Sequence, residues 1–142
     1  MKALSVLQTA IKEKRHKVNL DLPDTIKPIL SDEDSLLQIV INLLDNAIKY
    51  TPDEGKIHIA LAETHDEVII TIADNGVGIA ENELDRIFER FYRVDRARGG
   101  KIRGTGLGLA MVKHLVKGLG GKITVDSELG KGTTFRIFIP KA

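Results

Sequence analysis

The sequence contains no cysteine, which removes a disulfide scaffold, a cysteine-ligated zinc centre and a thiol nucleophile, and accords with a reducing compartment. Nor is there an excess of charge of one sign. With 21 basic residues against 20 acidic ones, there is no global electrostatic case for binding nucleic acid or a membrane surface, and any basic patch is local. No apolar run approaches the roughly 20 residues of a membrane span, and Met1-Lys2 is not followed by a signal-peptide core. The histidines His16, His58, His65 and His114 fall at no metal-ligand spacing. What remains is a 142-residue chain, one domain's length and long enough to bury a full core. The expectation is a single domain over residues 1–142, monomeric when isolated, with no direct contact to membrane or nucleic acid.

Apolar periodicity gives the element order. Leu4, Leu7, Ala10 and Ile11 recur at helical spacing and predict a first helix over about residues 2–15. Val18, Leu20 and Leu22 then alternate with polar residues as a half-buried strand, and a second short strand fits Ile26–Leu30. Ser31, with Asp34 three residues later, resembles a capping box opening a helix that Pro52 stops. Residues 56–63 and 67–74 read as a hairpin turning at His65-Asp66. A helical pattern follows through Leu84, Ile87, Phe88 and Phe91, and a third helix runs from the glycines at 104–108 to about Leu119. Strands at about 122–127 and 133–139 close the chain around Gly130-Lys131-Gly132. This order implies an α/β two-layer sandwich, with a mixed, largely antiparallel sheet and the helices packed on one face.

The helix before Pro52 carries a polar stripe of Gln38, Asn42, Asn46 and Lys49. At about 100° per residue, Asn42, Asn46 and Lys49 fall within roughly 60° of one another. Asn is a poor helix former, so two of them one turn apart suggest fixed donors and acceptors. Taken alone, the stripe fits a modestly polar solvent face equally well. The glycine loops tip the balance, because glycines opening a helix let backbone N–H groups and the helix dipole meet an anion, and Gly104-Thr105-Gly106-Leu107-Gly108 does this.

Neither standard nucleotide loop fits. A dinucleotide fingerprint starting at Gly104 would end on Leu109, and one starting at Gly106 would end on Met111. A Walker A loop needs Gly-Lys before Ser or Thr, whereas Lys56, Lys101 and Lys122 precede Ile and Lys131 precedes Gly. Just before the loop, Arg93, Arg96, Arg98, Lys101 and Arg103 surround Gly99-Gly100. A charge run usually marks a solvated face, but one interrupted by Gly-Gly beside a phosphate cradle reads better as a cationic lid, spanning about residues 93–106, over a polyanion than as a solvated loop.

Five segments in order carry a family resemblance. Asn42-Leu-Leu-Asp-Asn46-Ala-Ile-Lys49-Tyr50-Thr-Pro resembles an N box, Asp74-Asn-Gly76-Val-Gly78-Ile79 a first glycine box, and Phe88-Glu-Arg-Phe-Tyr-Arg93 an F box. Gly104-Thr105-Gly106-Leu107-Gly108-Leu resembles a second glycine box and Gly130-Lys-Gly-Thr133-Thr a third. Together they resemble the catalytic and ATP-binding domain of a bacterial two-component sensor histidine kinase, of the phosphate- and envelope-sensing kind. The resemblance implies a Bergerat-type (GHKL, HATPase) fold and the cofactors ATP and Mg²⁺. It also implies that Asn46 coordinates Mg²⁺ and that Asn42 and Lys49 contact phosphates. Tyr50 then packs near the base, Asp74 accepts the adenine exocyclic amine, and Gly76, Gly78 and Ile79 line the purine. Arg93 and the lid stabilise γ-phosphate charge, Gly104, Thr105, Gly106, Leu107 and Gly108 cradle phosphates, and Thr133 completes the adenine contacts. Asn42, Lys49 and Arg93 make up the catalytic set. Individually, Tyr50 also reads as core and Thr133 as a plain strand residue.

A phosphoacceptor histidine in this family is followed by an acidic residue and, further on, Pro. His16, His58 and His114 precede Lys, Ile and Leu, and His65-Asp66 sits at a strand turn with no Pro near it. The chain is therefore expected to be a module of a larger, cytoplasmic or membrane-bound kinase, acting on a separate dimerisation and phosphoacceptor helical hairpin and, through it, on a response regulator. Competing readings are a chaperone-, mismatch-repair- or topoisomerase-type ATPase, an anti-sigma-type serine kinase, and a regulatory ATP-binding module. The first two use a Glu where this chain has Asn42.

Overall fold

The structure is a computed structural model that describes residues 2–21, 33–89 and 108–140. Strands β1 (Lys17–Asp21), β2 (Lys56–Glu63), β3 (Glu67–Asp74), β4 (Lys122–Glu128) and β5 (Gly132–Pro140) form one sheet in the order β1-β2-β3-β5-β4. β1 runs parallel to β2, and every other pairing is antiparallel. Helices α1 (Lys2–Lys14), α2 (Glu33–Tyr50) and α3 (Gly108–Gly118) cover one face, with α2 between the other two. The mixed, largely antiparallel two-layer sandwich read from the sequence is the architecture found.

Period-two patterning sets which face is covered. Val68, Ile70 and Ile72 of β3 and Phe135, Ile137 and Ile139 of β5 are buried under the helices, while the residues between them are only half-buried. On α2, Ile39, Leu43, Leu44, Ala47 and Ile48 supply the facing stripe, all with 3% exposure or less. Val112 and Val116 complete it from α3.

The described structure departs from the sequence reading at two points. Residues 81–88 form a short 3₁₀ turn (Glu81–Glu83) followed by further turns, not the predicted α-helix. The backbone bonds Glu83 to Ala80, Leu84 to Glu81, Arg86 to Glu83 and Glu89 to Arg86 all span three residues. The apolar spacing of Leu84 and Ile87 fits that tighter winding as well as a helix. It buries Ile87 and sets the Phe88 ring edge-on to Phe135, with ring centres 6.4 Å apart. The second departure is Leu20, which is 42% exposed on the edge strand β1, so of the expected inward residues that are described only Val18 is half-buried. The expected strand at Ile26–Leu30 and the residues Leu22 and Phe91 lie outside the described residues.

Candidate functional site

One row of cross-strand partners defines the site. Val18, Ile57, Asp74, Thr133 and Ser127 are register partners on β1, β2, β3, β5 and β4 in turn. Directly opposed residues share a face, and strand parity places this row on the helix-covered one, since Asp74 continues Val68-Ile70-Ile72 and Thr133 precedes Phe135-Ile137-Ile139. The apolar lattice thus ends in three polar groups side by side. Burial pushes the Asp74 carboxyl above the ordinary carboxylate range, with the backbone amides of Gly76 and Thr133 and the nearby His16 opposing the rise. Gly76 N–H donates to Asp74 Oδ1 at 2.8 Å. An acceptor-only group fixed in a low-dielectric wall suits an amine N–H of a ligand.

The loop after Asp74 is shaped by close approach. A Cβ on Gly76 would sit 2.2 Å from the Tyr50 carbonyl oxygen and 2.9 Å from Asp74 Oδ1. Gly78 has φ +75° and a Cβ there would meet the Glu128 carbonyl at 2.1 Å, so both geometry and space demand glycine. Val77 N–H donates to the Tyr50 carbonyl at 3.1 Å, tying the loop to the end of α2. The Ile79 amide donates to Ser127 Oγ at 2.7 Å, tying it to β4. Ile79 itself is buried, at 8% exposure.

The polar stripe of α2 leads away from that loop. Asn46 and Tyr50 are half-buried. Lys49 is ion-paired to Asp45 at 2.9 Å on the same helix, with both side chains over a third exposed. Such a pair is worth under about 1 kcal/mol, so an anion competes easily for the ammonium. Asn42 Nδ2 approaches Met111 Sδ of α3 at 3.5 Å. A Cβ built on Gly108, the first residue of α3, would lie 3.9 Å from Asn42 Oδ1. The first described turn of α3 therefore stands beside Asn42, and the dipole of a helix N-terminal end favours an anion. Tyr50 and Asp74 lie two helical turns away, roughly 12 Å along α2.

The C-terminal end of α2 is held from outside the stripe. Lys14 Nζ donates to the carbonyls of Ile48, Lys49 and Thr51 at 2.7, 3.2 and 3.0 Å. His16 Nε2 donates to the carbonyls of Thr51 and Pro52, both at 3.0 Å. Two carbonyl partners assign the imidazole proton to Nε2. Burial lowers the Lys14 ammonium's pKa, with Asp53 opposing.

The structure thus brings Asp74, Gly76, Gly78, Ile79, Thr133 and Tyr50 together at the C-terminal end of α2, and Asn42 and Gly108 together about two turns back, near the middle of the helix, with Asn46 and Lys49 between. Arg93, Gly104, Thr105, Gly106 and Leu107, and with them the lid at about 93–106, lie outside the described residues. Sequence reasoning passed over Ser127, Lys14 and His16. Ser127 carried a signal, because it takes the next inward position after Ile123 and Val125. Lys14 and His16 carried none, since their partners are backbone carbonyls 34 to 37 residues away.

Comparison with known proteins agrees with this geometry. Residues 31–142 match the family described as histidine kinase-, DNA gyrase B-, and HSP90-like ATPase. The adaptive-response sensory kinase SasA of Gloeothece citriformis is 38% identical over 141 residues, which is 99% of this chain and 35% of SasA. The sensor histidine kinase WalK of Bacillus subtilis is 39% identical over 131 residues, 91% of this chain and 21% of WalK. The chain therefore spans about a third or less of these relatives' length. Among solved structures, full-length ShkA in complex with AMPPNP superposes with a TM-score of 0.86 at 32% identity, covering 99% of this chain and 29% of ShkA. The chain belongs to the histidine kinase-, DNA gyrase B- and HSP90-like ATPase family, as a catalytic and ATP-binding domain of the sensor-histidine-kinase kind.

Proposed function

We propose that the chain is a single module that binds Mg²⁺-ATP along α2 and donates the γ-phosphoryl group to a histidine on a separate dimerisation and phosphotransfer hairpin. The carrying observation is the two-ended site. A half-buried acceptor carboxylate, Asp74, stands at one end of the α2 stripe, and the N-terminus of α3 stands beside Asn42 at the other. The ionised carboxylate accepts from the amine at position 6 of adenine and repels the carbonyl oxygen that guanine has there, which selects ATP. Tyr50 packs near the base, Gly76, Gly78 and Ile79 line it, and Thr133 completes its contacts. Asn42, Lys49 and Gly108 face the phosphates, joined by Arg93, Gly104, Thr105, Gly106 and Leu107 from segments outside the described residues.

Asn46 is the Mg²⁺ ligand in this reading. A hard cation held by one carboxamide oxygen, phosphate oxygens and water is typical of Mg²⁺, which seldom has an all-protein cage. Among the described residues there is no group of three His, Cys, Asp or Glu side chains able to hold a metal. The donor set therefore suits an ion that arrives with nucleotide. Bound there, it supplies charge neutralisation for the phosphates.

In the transfer step the P–O bond to ADP breaks as a P–N bond to the imidazole forms; the imidazole lone pair supplies the electrons, and the proton on its other ring nitrogen is then lost to solvent. Neutral imidazole needs no general base, whereas water or a Ser hydroxyl does. Asn42, a neutral amide, cannot serve as that base, so the site favours a His acceptor and suppresses hydrolysis. Catalysis is then positioning and charge neutralisation. Use of ATP and relay to a response regulator place this work in the cytoplasm. Among the described residues no helix is long and apolar enough to cross a membrane.

The test mixes the chain with Mg²⁺-ATP, with and without an acceptor hairpin of the family. Acid-labile, base-stable phosphate should appear on the hairpin, with little inorganic phosphate released by the chain alone. Rapid hydrolysis, or acid-stable phosphoserine on a partner, would refute the assignment.

A further inference from the structure

We propose that Ser127 is a specificity-determining positioning residue of the base pocket, fixing the Thr133 hydroxyl as an acceptor so that the wall it shares with Asp74 accepts and never donates. The inference rests on the reading of Asp74 and Thr133 as the base-contacting pair and adds to it the residue that orients one of them.

A serine hydroxyl has one proton and two lone pairs. Ser127 Oγ accepts the Ile79 amide at 2.7 Å, which fills one lone pair. Two further groups lie in reach, the Gly132 carbonyl at 3.0 Å and Thr133 Oγ1 at 2.8 Å. The carbonyl only accepts, so its bond takes the serine proton. The remaining lone pair then receives the Thr133 proton, and this is the one assignment in which all three contacts of Ser127 Oγ are hydrogen bonds. Thr133 spends its only proton inward and keeps its own lone pairs. Its backbone amide is already directed at the Asp74 carboxylate.

The three residues sit in one row, Asp74 opposite Thr133 and Thr133 opposite Ser127, so the serine acts on the base pocket from one strand further out. A wall of acceptors favours an amine and opposes a carbonyl. Adenine and hypoxanthine differ at position 6, an amine against a carbonyl oxygen, and at N1, which carries a proton only in hypoxanthine; in this proposal the acceptor wall is set against position 6. Without Ser127 the Thr133 hydroxyl loses its inward acceptor, turns outward and donates, and a carbonyl becomes tolerable.

The experiment measures the affinities of ATP and ITP, with Mg²⁺, for the native chain, Ser127→Ala and Ser127→Thr. Thermal melting of each variant confirms folding. The native chain should prefer ATP. In Ser127→Ala the ATP-to-ITP affinity ratio should fall by roughly fivefold or more, the worth of about one hydrogen bond, chiefly through weaker ATP binding. Ser127→Thr keeps the hydroxyl and should keep the ratio. If Ser127→Ala does not fold, Ser127→Cys carries the same comparison, since a thiol is a poorer acceptor. Equal weakening of both nucleotides, with the ratio unchanged, would mark Ser127 as merely structural and overturn the proposal. A native chain that fails to distinguish ATP from ITP would instead remove the base-reading role of Asp74 itself, and the proposal with it.

Discussion

Replacing Asp74 by Asn should weaken ATP binding and stabilise the fold at the same time. The amide is nearly isosteric, and its oxygen can still accept the Gly76 N–H that now reaches Asp74 Oδ1 at 2.8 Å. What disappears is the charge and one of the two acceptor oxygens. A hydrogen bond to an ionised group is worth about 1.5–3 kcal/mol, so ATP affinity should fall roughly 10- to 150-fold. Stability should move the other way, because burial raises the folded-state pKa of Asp74. A carboxyl whose folded pKa is raised stabilises the protein fully below its unfolded pKa, and that contribution is lost as pH rises through the folded one. Asn has no such loss. The melting temperature of Asp74→Asn should therefore gain on the native protein as pH climbs from the ordinary aspartate value through the raised one, and hold a constant advantage above it. Calorimetry with ATP and GTP, and melts from acid to neutral pH, measure both effects. A variant that melts below the native protein at neutral pH, or binds ATP as tightly, would refute the buried-charge argument.

Lys14→Met should remove the cation that binds three carbonyls at the end of α2. The expected loss is about 2 kcal/mol, or roughly 4–8 °C in melting temperature, and an unchanged melt would deny the cap. Asn46→Ala should still bind ATP in EDTA but lose the extra affinity that Mg²⁺ confers on the native chain. Titrations in both media decide this, and retention of the enhancement would move the metal elsewhere.

Most of the fold was legible because period and punctuation agreed. β2 and β3 fall on the predicted residues, and α2 runs up to Tyr50, just short of the Pro52 that was read as its stop. The misread stretch at 81–88 shows the limit. Leu84, Ile87 and Phe88 satisfy helical spacing, yet the chain is pinned at Ile79 by Ser127 and at Ile87 and Phe88 by the core, and three-residue bonding spans that distance. Residue type announced Asp74, Asn42 and Asn46, because each is chemically out of place in its apolar setting. Lys14 and His16 looked like ordinary polar residues, since what distinguishes them is a set of distant backbone carbonyls that no local pattern encodes.

The polar row also explains why the hairpins must hold their register. Asp74, Thr133 and Ser127 meet only because β3, β5 and β4 are aligned residue for residue, and a one-residue slip would turn Ser127 to the opposite face. The β4–β5 turn is therefore bound on both sides. Lys131 N–H bonds the Glu128 carbonyl at 3.0 Å within the turn, and Gly130 N–H bonds the Val77 carbonyl at 2.8 Å in the loop after Asp74. That loop is bound in turn to Tyr50 on α2, whose last carbonyls are held by Lys14 and His16. Asp74 and the residues beside it are thus fixed by hydrogen bonds that converge from several elements. An apolar residue at 74 would continue the core at less cost than a half-buried carboxyl whose pKa burial raises, so Asp74 costs the fold stability.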